Sequence, residues 1–425
     1  MSSITIVGTG YVGLTTGAFL AHLGHEVTCA DVVPDKIERL CRGEIPIVED
    51  GLDELVREGL DGGRLSFVVG SGAAADREFV FLCVPTPQRD DGSADMAYIE
   101  AAAAEIGPGL VPDAVVVNKS TVPVGSTRVV EQALGRSDVS VVSNPEFLRE
   151  GSAVHDCFHP DRIVIGSDDQ AAAIRVASLY KSMQAPLIVT DPSSAETIKY
   201  ASNAFLATKV SFINAVANLC EAVGADVREV VLGMGYDRRI GFEFLRPGPG
   251  FGGSCFPKDT RALVRIGEDA GYDFGLLRGV IDVNEEQHAR VVAKVVAQAG
   301  GSVAGVTVAA WGLTFKARTD DRRDSPALHV IDRLADQGAR VRAYDPTVHD
   351  PLGPPGRIDV CDDPYAACEG AEVLAVLTEW DEFRWVDFRK VRDLMARPSV
   401  VDARNLLDSA ALRRAGFTYQ GIGRP

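Results

Sequence analysis

The stretch ITIVGTGYVG, residues 4–13, leads from an apolar strand-like run through a glycine-rich turn into a helix. Gly8 allows the tight turn, Gly10 lets the backbone approach a pyrophosphate, and Gly13 permits close packing of the helix. The free N–H groups at the start of this helix would then face phosphate oxygens. The stretch predicts the first βα unit of a dinucleotide-binding fold, and a glycine-rich turn without a ligand is the alternative.

Apolar runs alternate with helical patterns in two parts of the chain, which predicts βαβ units and mostly parallel, doubly wound sheets. The predicted strands of the first series are Ile4–Val7, Glu26–Ala30, Phe79–Val84, Ala114–Asn118 and Val139–Ser143. Those of the second series are Gly305–Trp311, Ala339–Tyr344 and Glu372–Leu377. The segment that ends at Asp31 has a counterpart that ends at Asp345. We therefore expect an α/β protein with two related, Rossmann-like domains.

A long apolar helix is predicted between the two series. Ser193 and Glu196 form a capping-box pattern, and the helix can run to about Val223 before a glycine stops it. Between residues 201 and 219 its only charge is Lys209, so it has little polar surface for solvent. We expect this helix to be covered by both domains or by a second subunit, which favours a homo-oligomer.

The composition is that of a globular protein with an acidic surface. The 425 residues include 60 acidic and 43 basic side chains, which gives a net charge of −17. This charge argues against binding to nucleic acid or to an anionic membrane. Only nine basic residues are lysines, and four of these lie within the motif segments: Lys119, Lys199, Lys258 and Lys316. The scarce lysines are expected where anionic ligands bind.

No feature of the sequence indicates a membrane span, a metal site or an oxidising compartment. The apolar run at Ile4 has no basic stretch before it, so no signal peptide is expected. The uncharged stretch 295–315 contains glutamine and several glycines, which fits a turn better than a membrane span. The cysteines include no CxxC pair, which predicts reduced thiols and a cytoplasmic protein. His155, Cys157 and His159 have no second ligand pair nearby, so no metal is expected.

Residues at the ends of predicted strands are candidates for cofactor binding. Asp31 ends the second strand, where its carboxylate would accept hydrogen bonds from ribose hydroxyls and repel a 2′-phosphate, so NAD is expected rather than NADP. Thr86 and Thr121 lie in proline-containing loops after later strands, and such loops line the cofactor crevice of a doubly wound sheet. A purely structural role for these turns is the alternative.

Two pairs of polar residues are spaced four apart. Glu146 and Glu150 follow a predicted strand, and a helical turn would place both on one face, where one could act as a base. A solvated acidic turn is the alternative. Lys199 and Asn203 have the same spacing on the long apolar helix, where buried donors could stabilise an oxyanion. Lys199 could instead extend to solvent.

The segment FLRPGPGFGGSCFPKD, residues 244–259, is the most specific motif. Its glycines let the backbone wrap closely around a ligand. Pro257 suits the first turn of a helix that runs through Asp269, which places Cys255 at the helix N-terminus. The helix dipole and Lys258 would both lower the thiol pKa and favour a nucleophilic thiolate. An inert, buried cysteine is the alternative.

Taken together, these motifs resemble those of the UDP-glucose/GDP-mannose dehydrogenase family. They occur in order along nearly the whole chain: GTGYVG, CVPTP, KSTVPVGS, NPEFLREG, KYASN, FLRPGPGFGGSCFPKD, GLTFKARTDDRRDSP and DARN. Pro85 stands where the family usually has glycine, so the geometry of that cofactor loop could differ. The resemblance implies an NAD-binding domain over residues 1–192, a central helical and dimerisation region carrying the cysteine loop over 193–298, and a UDP-sugar-binding domain over 299–425.

The family consists of NAD-dependent four-electron dehydrogenases that oxidise the C6 alcohol of a sugar nucleotide to a carboxylate. The resemblance implies that Cys255 forms a thiohemiacetal and then a thioester. The implied catalytic residues are Cys255, Lys199, Asn203, Asp259, Glu146 and Thr121. The implied cofactor-binding residues are Gly8, Gly10, Tyr11, Val12, Gly13, Asp31, Lys36, Thr86, Thr121, Glu150, Lys258 and Arg323. The implied substrate-binding residues are Phe147, Leu148, Glu150, Lys199, Asn203, Arg239, Phe244, Arg246, Gly252, Lys316 and Arg404, with Arg239 serving a neighbouring subunit.

UDP-glucose is the expected substrate, and a homodimer or a dimer-based homo-oligomer is the expected assembly. The same chemistry on GDP-mannose or on a UDP-N-acetylhexosamine is one alternative. A second is a two-electron hydroxyacid-type dehydrogenase, which needs neither a catalytic cysteine nor a second nucleotide domain. A third is a binding protein without catalysis, against which the intact set of Cys255, Lys258, Asp259 and Lys199 argues.

Overall fold

A computed structural model describes residues 1–354 and 356–424 of the chain. The chain forms two compact units, one of Met1–Ser202 with Arg261–Tyr272 and the other of Asn203–Thr260 with Asp273–Pro425. The three-part division at residues 192 and 298 stays a prediction, because compactness does not say which ligand a segment binds.

The first unit contains an eight-stranded sheet. Its strands are β1 (Ser3–Val7), β2 (Glu26–Asp31), β3 (Leu65–Val69), β4 (Phe79–Leu82), β5 (Val115–Asn118), β6 (Ser140–Ser143), β7 (Ile163–Gly166) and β8 (Leu187–Thr190). Their spatial order is β3-β2-β1-β4-β5-β6-β7-β8, and only the β6–β7 contact is antiparallel among the described strands. The order reverses between β1 and β4, which opens a crevice at the carboxyl ends of these strands.

Helices on both faces of this sheet bury most of its strands. They are α1 (Tyr11–His22), α2 (Pro34–Cys41), α3 (Leu52–Asp61), α4 (Ala97–Ile106), α5 (Ser126–Leu134), α6 (Ala153–Phe158) and α7 (Gln170–Leu179). In β1, Ile4 and Ile6 belong to one apolar cluster, whereas Val7 belongs to another. Because the strand contributes to two cores, its sequence is apolar over most of its length, as is typical of parallel sheets.

The second unit contains a six-stranded parallel sheet. Its strands are β9 (Thr307–Trp311), β10 (Arg340–Tyr344), β11 (Ile358–Val360), β12 (Val373–Val376), β13 (Ser399–Asp402) and β14 (Thr418–Gly421), in the order β11-β10-β9-β12-β13-β14. This order repeats that of β3-β2-β1-β4-β5-β6. The prediction of two Rossmann-like, doubly wound domains with a long helix between them in the chain is confirmed.

Eight further α-helices lie in the described part of the chain. They are α8 (Pro192–Val223), α9 (Val227–Gly235), α10 (Phe256–Asp269), α11 (Gly275–Gln298), α12 (Pro326–Asp336), α13 (Pro364–Cys368), α14 (Phe388–Leu394) and α15 (Ser409–Arg414). The stretch 295–315 is the end of α11, a turn and β9, as predicted. Among the described residues, no helix is both long and apolar enough to cross a membrane.

Helix α8 confirms the predicted long helix. Its 32 residues correspond to roughly 48 Å of helix. The predicted capping box is wrong, because Asp191 accepts the hydrogen bond from the backbone N–H of Ser194 at 2.8 Å. The carboxylate of Glu196 instead accepts from the backbone N–H groups of Gly125 and Thr127 at 2.6 and 2.9 Å. Glu196 is buried against the start of α5, whose unsatisfied N–H groups are the nearer partners.

Candidate active site

The turn between β1 and α1 has the features that a dinucleotide pyrophosphate requires. Gly8 has φ +98°, and a Cβ there would lie 2.7 Å from the carbonyl oxygen of Cys83. A Cβ on Gly13 would lie 1.9 Å from the carbonyl oxygen of Gly8, whereas a Cβ on Gly10 would meet nothing within 4 Å. No side chain caps the start of α1. Gly8 and Gly13 are therefore required by packing, and Gly10 leaves open the space in front of uncapped N–H groups.

Asp31 lies beside this turn. Its carboxylate accepts from the backbone N–H and the hydroxyl of Thr9 at 3.0 and 2.7 Å, and from Lys36 at 2.9 Å. Burial opposes its ionisation, but the hydrogen bonds from Thr9 and Lys36 outweigh burial and lower the pKa to about 2. Asp31 is thus an ionised, partly accessible acceptor at the end of β2, as a ribose-binding carboxylate must be.

The counterpart of Asp31 in the second unit is not accessible to a ligand. Asp345 is fully buried at the end of β10, and one of its oxygens accepts from the backbone N–H groups of Leu313 and Thr314 and from the indole of Trp380. The other oxygen accepts from Thr347. With its oxygens engaged within the protein, Asp345 holds the turn together and is not available to a ribose. The two domains share a fold, but only the first has an accessible carboxylate at this position.

The remaining predicted cofactor residues of the first unit lie at the same edge of the sheet. The Tyr11 hydroxyl donates to Glu49, which also accepts from the backbone N–H of Gly151 at 2.6 Å. Burial, Glu49 and the charge of nearby Glu150 raise the pKa of Tyr11 above its ordinary value. Thr86 donates to the carbonyl oxygen of Thr121 at 2.8 Å, which joins two strand-end loops. Val12 is half-buried near the start of α1. Sequence analysis missed Glu49.

Glu146 and Lys199 form a buried ion pair in the first unit. Lys199 Nζ lies 2.8 Å from Glu146 Oε1 and 2.8 Å from the carbonyl oxygen of Glu146. The other carboxylate oxygen accepts from the backbone N–H of Leu148 at 2.6 Å. Burial disfavours the charge on Glu146, but Lys199, the Leu148 N–H and Lys119 more than compensate and lower its pKa. Lys199 is buried, so the alternative in which it extends to solvent is wrong.

An arginine stacks on the aromatic ring beside this ion pair. Arg162 stacks on the ring of Phe147 at 3.5 Å from its centroid, and Lys199 Nζ lies 5.4 Å from the same centroid. Burial lowers the pKa of Arg162. Sequence analysis missed Arg162, although its position directly before the apolar strand β7 could have drawn attention to it.

In the second unit, Cys255 directly precedes α10, as predicted. The backbone N–H of Asp259 donates to the carbonyl oxygen of Cys255 at 2.8 Å, which closes the first turn. The buried Asp259 carboxylate accepts from Asn203 at 2.6 Å and from Lys258 at 2.5 Å. The Ser254 hydroxyl lies 3.5 Å from Cys255 Sγ. The structure thus brings the cysteine, an amide, an ammonium group and a carboxylate to the first turn of one helix.

Three glycines before Cys255 are required by close approach of other segments. A Cβ on Gly252 would lie 2.1 Å from the carbonyl oxygen of Asp324, and one on Gly253 would lie 2.8 Å from the ring of Phe315. Gly250 has φ +129°, and a Cβ there would lie 2.8 Å from side-chain atoms of Asn284 and His288. The cysteine loop is therefore packed tightly on residues of the second domain and of α11.

Asn284 and Gln287, which no sequence motif indicates, help to hold this loop. Asn284 accepts from the backbone N–H of Phe251 at 2.7 Å and donates to its carbonyl oxygen at 3.1 Å. Gln287 donates to the carbonyl oxygen of Gly248 at 2.8 Å. Both lie on α11, whose polar positions carry no recognisable motif. Only the fold shows that they face the loop.

The predicted substrate residues of the second unit are partly brought together. Arg404 donates to the carbonyl oxygens of Leu377 and Phe315 at 2.8 Å each, and Lys316 lies over the ring of Phe315 at 5.4 Å. A Cβ on Gly248 would lie 3.4 Å from Arg404. Arg404 and Lys316 therefore lie with the cysteine loop at the carboxyl ends of β9 and β12.

Other predicted residues are outside this group. Arg239 and Arg246 are exposed, and Arg239 pairs with Asp237 at 2.6 Å. Arg323 pairs with Asp321 at 2.8 Å, while its carbonyl oxygen accepts from the cysteine loop at 3.0 Å. The ring centroid of Phe244 lies 6.0 Å from that of Phe256 at the start of α10.

The fold and the glycine turn define a dinucleotide-binding protein of the Rossmann type. Three models of one family match the chain: the UDP-glucose/GDP-mannose dehydrogenase family NAD binding domain over residues 2–184, its central domain over 193–286 and its UDP binding domain over 309–409. The chain belongs to this family, as the motifs indicated.

Known proteins are similar over the full length. UDP-glucose 6-dehydrogenase YwqF of Bacillus subtilis (strain 168) is 45% identical over 430 residues, covering 99% of this chain and 98% of that protein. The structure of a UDP-glucose dehydrogenase from the hyperthermophilic archaeon Pyrobaculum islandicum has a TM-score of 0.92 and 39% identity, covering 100% of this chain and 98% of that one. A UDP-D-ManNAc dehydrogenase from Pyrococcus horikoshii has a TM-score of 0.88 and 28% identity, covering 99% of each chain.

Proposed function

We propose that this protein oxidises the C6 alcohol of UDP-glucose to a carboxylate and reduces two molecules of NAD per sugar. The observation that carries the proposal is Cys255 at the first turn of α10, beside the hydrogen-bonded set of Asn203, Lys258 and Asp259. A two-electron dehydrogenase needs no such cysteine. The full-length similarity to UDP-glucose 6-dehydrogenases supports UDP-glucose as the substrate.

A cysteine solves the chemical problem of a four-electron oxidation. Two NAD molecules, bound one after the other at the glycine turn, would each supply an acceptor for one of the two hydrides that leave C6. The Cys255 thiolate adds to the aldehyde carbon after the first hydride has left, which forms a C–S bond and a thiohemiacetal oxygen. Loss of the second hydride leaves a thioester, and water breaks the C–S bond to give the carboxylate and the free thiol. The aldehyde therefore stays attached to the protein between the two oxidations.

The residues around α8 would stabilise the charges that develop. Lys199 and Asn203 are one helical turn apart, so both can donate to oxygens on the same side of α8. Asp259 holds the Asn203 amide and Lys258 in place through its two carboxylate oxygens. By resemblance to the family, Thr121 would contribute a hydroxyl to catalysis.

Glu146 is better suited to orienting water than to removing its proton. The ion pair with Lys199 and the lowered pKa make it a weak base. A permanently ionised carboxylate can still accept a hydrogen bond from the water that attacks the thioester. This role differs from that of a base with a raised pKa.

The central experiment counts NADH per UDP-glucose. Purified protein with limiting UDP-glucose and excess NAD should form two NADH per sugar, measured by absorbance at 340 nm. One NADH per sugar would contradict the thioester route. Cys255→Ser should abolish steady turnover, whereas Cys41→Ser, a change at an exposed thiol, should leave it intact.

The substrate is tested separately from the chemistry. UDP-glucose, GDP-mannose and UDP-N-acetylhexosamines would be compared by kcat/KM under identical conditions. The UDP binding domain over residues 309–409 supports a uridine nucleotide. A higher kcat/KM for GDP-mannose or for an N-acetylated sugar would replace UDP-glucose in the proposal while leaving the four-electron route in place.

We also propose that the protein forms a homodimer through α8. Phe205, Phe212 and Leu219 recur every seven residues along one face of the helix and are 65%, 52% and 59% exposed. Apolar side chains at heptad spacing are typical of helices that pack against another helix. Phe212→Glu should convert the dimer to a monomer in light scattering, whereas Ile174→Glu, at an exposed position on α7, should not. A monomeric wild-type protein would contradict the proposal.

A further inference from the structure

Lys119 is a buried cation with no carboxylate of its own. It follows β5 and is 8% exposed, and its Nζ lies 3.1 Å from Asn144 Oδ1. The hydroxyl of Tyr180 donates to the same oxygen at 2.8 Å, and Lys119 Nζ lies 5.7 Å from the Tyr180 ring centroid. Among the described residues, no carboxylate forms a salt bridge with Lys119. A buried ammonium group costs free energy unless a nearby negative charge balances it.

One carboxylate on which the charge of Lys119 acts is Glu146. Asn144, which holds Lys119, lies two residues before Glu146, and its backbone N–H donates to Asn118 of β5 at 2.9 Å. The charge of Lys119 acts on Glu146 in addition to the direct ion pair with Lys199. The other titratable groups that face Glu146 are Arg162 and the thiols of Cys83 and Cys157. Lys119 and Lys199 thus both act on the buried carboxylate of Glu146.

A second cation that acts on Glu146 matches the needs of the proposed reaction. When Lys199 donates to an oxyanion, its charge is shared between that oxygen and Glu146. Without a second cation, the buried carboxylate would then lose much of its stabilisation. With Lys119 present, the two ammonium groups balance the carboxylate and the oxyanion together.

We propose that Lys119 is a positioning residue whose ammonium charge keeps Glu146 ionised and in place while Lys199 stabilises an oxyanion. The inference rests on the proposed function, because it assigns the charge to a step of that reaction. Lys119 itself touches neither substrate nor cofactor in this role.

The test compares pH profiles of kcat. Lys119→Met should raise the apparent pKa of the acidic limb by about one unit or more, the effect of losing one nearby charge. The KM for NAD should change less than about twofold, because the cofactor contacts are untouched. Tyr180→Phe is the matched control: it removes the other hydrogen bond to Asn144 Oδ1 without changing any charge, so the limb should stay in place. An unshifted limb in folded Lys119→Met would overturn the proposal.

A second variant covers the case in which Lys119→Met does not fold. Asn144→Asp keeps the side-chain shape and places a carboxylate 3.1 Å from Lys119 Nζ, which balances its charge. The change also removes the hydrogen bond that Asn144 donates to the carbonyl oxygen of Val164 at 2.7 Å. The acidic limb should move in the same direction as in Lys119→Met. A folded Asn144→Asp variant with the wild-type limb would refute the role of the charge.

An activity-independent readout separates this proposal from the proposed function. Glu146 has a lowered pKa in the folded state, so its contribution to stability is present above its unfolded pKa and is lost as the pH falls. In Lys119→Met that loss should begin at a higher pH, seen as urea midpoints that fall earlier on acidification. In a Glu146→Gln background, Lys119→Met should no longer shift the pH dependence. If the shift persists there, Lys119 does not act through Glu146, whatever the substrate.

Discussion

Two alanine substitutions in the same glycine motif should affect different properties, one ligand binding and the other stability. A Cβ on Gly10 meets no atom within 4 Å, and the residue has φ −69°, which alanine adopts readily. A Cβ on Gly13 would lie 1.9 Å from the carbonyl oxygen of Gly8, so the turn and α1 must separate by roughly 1.5 Å to reach ordinary contact at 3.4 Å. Gly10→Ala should therefore affect the ligand, and Gly13→Ala the fold.

The magnitudes follow from these geometries. Gly10→Ala should change the free energy of unfolding by less than about 1 kcal/mol. Gly13→Ala should lower it by about 1–3 kcal/mol, which corresponds to roughly 2–4 °C in Tm per kcal/mol for a domain of this size. A methyl group on Gly10 would occupy the space that a pyrophosphate needs, and a loss of only about 1.4 kcal/mol weakens NAD binding tenfold.

Thermal unfolding without ligand and calorimetric titration with NAD measure the two effects separately. The expected result is a normal Tm with a Kd for NAD at least about tenfold higher for Gly10→Ala, and a lowered Tm for Gly13→Ala. Wild-type NAD affinity in Gly10→Ala would refute the placement of the pyrophosphate at this turn. An unchanged Tm in Gly13→Ala would refute the packing argument.

Three further predictions concern residues outside this motif. Glu196→Leu should lower the free energy of unfolding by about 2–4 kcal/mol in urea titrations, because two backbone N–H groups at the start of α5 lose their acceptor; Glu196→Gln should cost less. Asn284→Leu removes both hydrogen bonds to the backbone of Phe251 and should lower kcat/KM by about tenfold or more; an unchanged kcat/KM would show that the loop keeps its position without them. Asp31, with a pKa of about 2 when folded, should stabilise the protein above about pH 4 and lose this contribution as the pH falls toward 2; the stability difference from Asp31→Asn should shrink over that range.

Much of the fold could be predicted from local sequence patterns. Each of the eight predicted strands lies within two residues of the observed one at either end, and the long helix ends at Val223 as expected. These elements are strongly apolar or carry glycine at their boundaries, so neighbouring residues suffice to identify them. Six described strands were not predicted: β3, β7, β8, β11, β13 and β14. Two of these have weak local patterns, because β11 has three residues and β8 carries exposed aliphatic side chains at the edge of its sheet.

The site residues also fall into those that local sequence patterns identify and those that they do not. Gly8, Gly13 and Cys255 were recognisable because a turn or a helix start requires a particular residue at a fixed spacing. Glu49 and Arg162 were not, because their partners lie far away in the sequence. The expected capping box of Glu196 was wrong for the same reason: its partners lie 69 to 71 residues away.

The sequence by itself determined the two Rossmann-like domains, the long apolar helix, the glycine turn and the cysteine at a helix start. It did so because periodicity, glycine conformation and helix capping act over a few residues. Only the tertiary structure showed that the oxygens of Asp345 are hydrogen-bonded within the protein, that Glu146 is an ionised partner of Lys199, and that Lys119 is buried beside Asn144. Charges and hydrogen bonds depend on distance in space, and burial strengthens them by removing water. Their effect therefore follows from the folded arrangement rather than from the order of the residues.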